Sequence, residues 1–96
     1  MLTLDMLRIS EGQMELGFYI SGNEKDGIFV RYDRKGNLLL RTKHREGRPI
    51  GEYLVWWPTG ELKIRKVFSE TGTEISEELY TKKGVRVFDS NKLKGL

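Results

Sequence analysis

The chain has 96 residues, with 17 Lys or Arg against 14 Asp or Glu and a formal net charge of +3. That length suits one domain. The basic excess is too small for the concentrated cationic face of a nucleic-acid binder, and a DNA mimic would be acidic. Cysteine is absent, which excludes disulfides and thiolate metal sites. The opening Met1 to Met6 lacks the basic start and apolar run of a signal peptide. No stretch approaches the roughly 20 apolar residues of a membrane span. A cytoplasmic location is the expectation.

Along the chain, Gly12, Gly36, Gly60 and Gly84 recur at a spacing of 24. A fixed period in this range marks a repeat architecture. The inner copies agree best: Gly27 to Leu38 and Gly51 to Leu62 both read Gly-x-aromatic-x-x-aromatic-x-x-x-Gly-x-Leu. The outer copies are degraded, as the ends of a short capped array are. Even-numbered positions are mostly apolar, from Leu2 through Phe18, Val30, Leu40, Trp56 and Ile64 to Phe88. Strand side chains alternate with period 2, so an even repeat predicts one apolar, even-numbered face throughout.

The predicted strands lie near 2–8, 13–20, 27–32, 37–44, 51–57, 61–68, 76–81 and 85–89. Trp57-Pro58-Thr59-Gly60-Glu61 suits a type I turn followed by Gly in the left-handed region. Asp33 to Asn37, Thr81 to Val85 and Ile9 to Gln13 have the same length and the same Gly. These turns define hairpins near 2–20, 27–44, 51–68 and 76–89, with Tyr32 facing Leu38, Val30 facing Leu40, Trp56 facing Leu62 and Leu54 facing Ile64. Longer polar connections, 21–26, 45–50 and 69–74, join them. The expected fold is therefore all-β: an antiparallel meander of about eight strands, built from four hairpin repeats in a single domain spanning 1–96, curled or two-layered because one sheet cannot bury a face alone. An N-terminal helix over 2–11 is the alternative for the first segment.

The motif on Gly27, Phe29, Tyr32, Gly36 and Leu38, repeated on Gly51, Tyr53, Trp56, Gly60 and Leu62, resembles the MORN repeat. The 24-residue period and the basic link Arg45 to Gly51 resemble its bacterial variant. The resemblance covers 27–68 well. It implies a β-hairpin array whose matched residues are structural. The family includes antitoxin-like and immunity-like components of bacterial toxin systems, so the resemblance also implies an inhibitory protein-binding role.

Function is expected on the odd-numbered face, where aromatic and aliphatic residues sit among arginines. That mixture is typical of protein interfaces and their hot spots. The candidate partner-binding residues are Phe29, Arg31, Arg41, Tyr53, Val55, Trp57 and Arg65. Packing within a curled sheet is the competing account of Phe29 and Tyr53. Trp57 is the sharpest candidate, because the motif requires only Trp56. The expected partner is a protein, a toxin or another enzyme. A homodimer or self-assembling scaffold is an alternative, as is an anionic lipid or nucleic-acid binder using Arg31, Arg41, Lys43, Lys63 and Arg65.

No catalytic constellation stands out. His44 is the single histidine, which makes zinc ligation a poor reading. No serine is marked as a nucleophile and no phosphate-binding glycine loop occurs. Glu70, Glu74, Glu77 and Glu78 form an acidic cluster read as solvated. The expectation is a protein that is not an enzyme and calls for no cofactor or metal.

Overall fold

A computed structural model describes residues 7–10 and 13–90. Eight strands form one sheet whose spatial order is the chain order: β1 Leu7–Ser10, β2 Gln13–Gly22, β3 Gly27–Asp33, β4 Leu38–Arg45, β5 Arg48–Trp56, β6 Leu62–Phe68, β7 Glu74–Tyr80 and β8 Arg86–Asp89. Every neighbouring pair is antiparallel. The sheet does not close, since β1 and β8 are its two edges. It is a single layer, so the expected meander holds and the two-layered form does not occur among the described residues. The first segment, expected as a strand near 2–8 with a helix over 2–11 as the alternative, has a strand at Leu7–Ser10; residues 1–6 and 11–12 lie outside the described residues.

The turns explain the period. At Asp33, Trp57 and Thr81 the opening N–H donates to the carbonyl four residues on, at 3.0, 2.9 and 2.8 Å. In each, the Gly N–H donates back to the opening carbonyl. Gly36, Gly60 and Gly84 have φ of 88°, 94° and 84°, a region other residues enter only with strain. A hydroxyl or carboxylate at the first position reinforces two of these turns. Asp33 Oδ1 accepts the N–H groups of Lys35 and Asn37, both at 2.9 Å, and Thr81 Oγ1 accepts those of Lys83 and Val85.

Two of the supposed longer connections are tight turns. Ser69 to Thr73 repeats the same hydrogen bonds, with Gly72 at φ 85°. Its recurrence makes the underlying spacing 12 residues over this stretch, from Gly60 to Gly72 to Gly84. Arg45 and Arg48 pair directly, joined by Glu46 at φ 52° and Gly47 at φ 78°. Positive φ at both central positions is the two-residue turn that matches strand twist. Its Gly47 N–H donates to Lys25 O at 2.9 Å, which ties this tip to the connection between β2 and β3.

The single even-numbered face does not form. Tyr32 faces Leu38 and Trp56 faces Leu62 as expected, but Arg31, not Val30, faces Leu40, and Val55, not Leu54, faces Ile64. The cause is one extra residue at the second position of the returning strand of each hairpin, Leu39, Lys63 and Val87, again 24 apart; Ile75 is the same extra residue where β7 returns along β6. Such a bulge leaves two residues opposite one and exchanges the faces beyond it. From β3 onward, corresponding strands of successive hairpins keep their parity, while the two strands of one hairpin do not.

One face therefore carries the row Gly17, Arg31, Leu40, Val55, Ile64, Leu79 and Phe88, read strand by strand from β2 to β8. The other carries Phe18, Val30, Arg41, Leu54, Arg65, Glu78 and Asp89. Among the described residues Val30, Leu40 and Ile50 are the buried apolar side chains. All three lie near the middle of the sheet, where neighbours on both sides shield them.

Gly60→Ala is expected to cost about 1–2 kcal/mol by urea denaturation, because no neighbour lies within 4 Å of the added Cβ and the backbone bears the strain. Asp33 gives a pH-dependent test. Its hydrogen bond from the Asn37 amide, at 2.9 Å, and the backbone N–H bonds hold its carboxyl below the ordinary 3.8. A lowered folded-state value stabilises the fold above the unfolded value and is lost as pH falls through the folded one. Asp33→Asn should lower Tm at pH 7, and the gap to wild type should close on acidification.

Candidate binding faces

The first face holds Tyr19, Phe29, Arg31, Leu40, Tyr53, Val55, Ile64, Phe68, Leu79 and Phe88, nearly all half-buried. Tyr19 and Phe29 meet edge-on with centroids 5.0 Å apart, and Tyr53 and Phe68 do so at 6.3 Å. Such geometry suits the positive edge and negative face of aromatic rings. Gly17 lies under Phe29: a Cβ there would stand 2.5 Å from Cζ of the ring. Glycine thus allows the ring to lie flat on β2. The Arg31 guanidinium carbon is 5.9 Å from the Phe29 centroid, and Nε is 3.9 Å from Glu15 Oε1. Burial raises the Tyr19 hydroxyl pKa above its ordinary 10.0, and the nearby Glu24 charge adds to the effect.

Of the predicted binding residues, Phe29, Arg31, Tyr53 and Val55 share this face, and Trp57 continues the row past the end of β5. Arg41 and Arg65 do not join them. The bulges place both on the second face, flanking Leu54, two strands apart. Strand spacing puts that separation at roughly 10 Å.

Trp57 is held by its own chain. Its indole N–H donates to Tyr80 O at 3.4 Å, and the Lys63 and Lys82 ammonium groups lie 4.5 and 5.3 Å from its ring centroid. The ring joins the turn at 57–61 to the next turn along the sheet, a structural duty that its sequence position alone does not reveal.

The second face is apolar at one side and ionic at the other. Phe18 and Tyr32 stack with centroids 5.8 Å apart beside Val30. Across the sheet, Arg65 Nε lies 2.9 Å from Glu52 Oε2 and Arg65 Nη1 lies 3.7 Å from Glu78 Oε1. Arg86 approaches Glu78 at 4.0 Å and Asp89 at 3.3 Å. The Tyr80 hydroxyl donates to Glu78 at 3.0 Å; burial, then this bond, raises its pKa above 10.0. On the first face, Lys66 stands 3.3 Å from Glu74 and 3.5 Å from Glu77. Burial alone would lower the Lys66 pKa, but the hydrogen bond and charge of Glu74, helped by Glu77, raise it.

The acidic cluster is thus consumed by cross-strand pairing with β6, and Glu70 pairs with Arg45 at 2.6 Å. Sequence reading missed this network. Its signal was present in Ser69-x-x-Gly72, which matches Thr81-x-x-Gly84 and implies a tight turn that sets β7 beside β6.

Among the described residues no group of three or more His, Asp and Glu side chains could hold a metal ion, and no helix is long and apolar enough to cross a membrane. A concavity of about 670 Å³ is an open groove between two turns, lined by Asp33, Arg34, Lys35, Asn37, Pro58 and Thr59. No protein-family model matches the chain, and neither a curated protein nor a solved structure does.

Glu78 is the hub of the second-face network, with 14% of its side chain exposed. Glu78→Ala removes one of two carboxylates from Arg65 and from Arg86, and the acceptor of the Tyr80 hydroxyl. A loss of about 0.5–1.5 kcal/mol is expected in urea denaturation, the net worth of a typical hydrogen bond, since both arginines keep a second carboxylate.

Proposed function

We propose that this chain is a protein-binding module that acts by covering a partner's surface. The observation behind this reading is the single layer. A sheet ordinarily has an apolar face covered by a second sheet or by helices, and here neither face has such a cover among the described residues. The first face combines Phe29, Tyr53, Val55 and Arg31, the residue types that concentrate binding energy at protein interfaces. Large uncovered apolar patches usually serve a partner.

The specific role we favour is that of an antitoxin, immunity protein or phage-borne inhibitor that blocks a toxin or other enzyme by steric cover. The resemblance of residues 27–68 to bacterial MORN-type repeats supports it. A cytoplasmic, non-enzymatic protein without a cofactor fits that role. The second reading is self-assembly through the β8 edge, where Val85 and Val87 are 59% and 63% exposed. Exposed edges invite pairing with another strand.

The test uses the tagged chain as bait in its host lysate, with mass spectrometry of what binds. A stoichiometric enzyme partner is expected, its affinity reduced about 30-fold by Tyr53→Ala, the effect of losing a hot-spot residue. An apolar contact should persist in salt; collapse of binding with added salt would instead indicate a lipid or nucleic-acid ligand. Recovery of the chain alone, with light scattering that grows with concentration, would establish self-assembly in place of partner inhibition.

A further inference from the structure

The strands of this sheet neutralise most of their own cations. Arg31 has Glu15, Arg65 has Glu52 and Glu78, Lys66 has Glu74 and Glu77, Arg86 has Glu78 and Asp89, and Arg45 has Glu70. Arg41 and Lys43 are different. Both are exposed, both point to the second face, and no ion pair or hydrogen bond engages either among the described residues.

Their surroundings are specific. Arg41 sits opposite Val30 and Leu54, and Lys43 opposite Ile28 and Ile50. Val30 and Ile50 are 2% and 3% exposed, so the two cations border the most buried apolar ground of the sheet. Between them the ladder opens. Residues 41 to 43 of β4 span the same distance as 50 to 54 of β5, which leaves two extra residues on β5 around Gly51. The opening forms a cavity of about 120 Å³ lined by Ile28, Arg41, Thr42, Lys43, Ile50, Gly51 and Glu52.

We infer that Arg41, Lys43 and this cavity form a second contact site, on the face opposite Tyr53, that receives an acidic polypeptide segment: a carboxylate between the two cations and an adjoining aliphatic side chain against the half-buried Ile28. Charge complementarity selects the acid, and the apolar floor selects a polypeptide. A nucleic acid would need a longer track of cations than these two. Side chains of Arg and Lys can cover apolar surface with their stems while keeping the charge in water, so the site is open to a partner's carboxylate without unfolding anything.

The experiment selects a random-peptide display library on the immobilised chain and measures the enriched peptides against Arg41→Glu/Lys43→Glu and Tyr53→Ala. Circular dichroism checks the fold, and Arg41→Gln/Lys43→Gln substitutes if charge reversal disturbs it. Enriched peptides should carry Asp or Glu beside Leu or Ile. They should bind the double variant about tenfold more weakly, the summed effect of two exposed ion pairs, and bind Tyr53→Ala unchanged. The inference is overturned by peptides without acids, by equal affinity for the double variant, by no enrichment, or by oligothymidylate binding that the same substitutions abolish. Peptides sensitive to Tyr53→Ala alone would sink this site and leave the first-face reading standing.

Discussion

A single backbone hydrogen bond, from a glycine N–H back to the carbonyl that opens its turn, governs the rest of this sheet. It recurs at Asp33, Trp57, Ser69 and Thr81, each time with glycine at positive φ. Closing the turn this way determines where the next strand begins and which residues pair first. The bulges that follow at Leu39, Lys63, Ile75 and Val87 then decide which side chains reach which face. The row from Gly17 to Phe88 and the row from Phe18 to Asp89 both follow from those two local events repeated.

Electrostatics is subordinate to that register. Lys66 meets Glu74 and Glu77, and Arg65 meets Glu78, only because the turn at Ser69 lays β7 against β6 with Arg65 opposite Glu78. Individually such partly exposed pairs stabilise little. Like charges directly opposite are destabilising, so a basic strand beside an acidic one favours this order of strands over one that brings basic strands together. The charge left over at Arg41 and Lys43 is correspondingly conspicuous.

The sheet order, the strand positions and three of the turns were legible in the glycine spacing, because positive φ has few residues that satisfy it. The faces were legible only in part. Tyr32–Leu38 and Trp56–Leu62 came out correctly since they adjoin the turn. Val30–Leu40 and Leu54–Ile64 did not, since Leu39 and Lys63 bulge without any glycine or proline to announce it. That same slip separates Arg41 and Arg65 from Phe29, Tyr53 and Val55. Trp57 shows another limit: Lys82 and the Tyr80 carbonyl reach it from the next hairpin, and no local pattern predicts a contact across that gap.

Because spatial order equals chain order, every strand pairs only with its sequence neighbours. Stability in such an array is close to a sum of strand terms and nearest-neighbour interfaces. Structure can start at any hairpin and spread in both directions without closing a long loop, which favours fast folding. The ends, held on one side only, open first and most often. Opening at β8 would release Arg86 and Asp89 but leave the rows from β3 to β6 intact. The candidate surfaces thus sit on the segment least affected by fraying, and the edge strands act as replaceable margins around it.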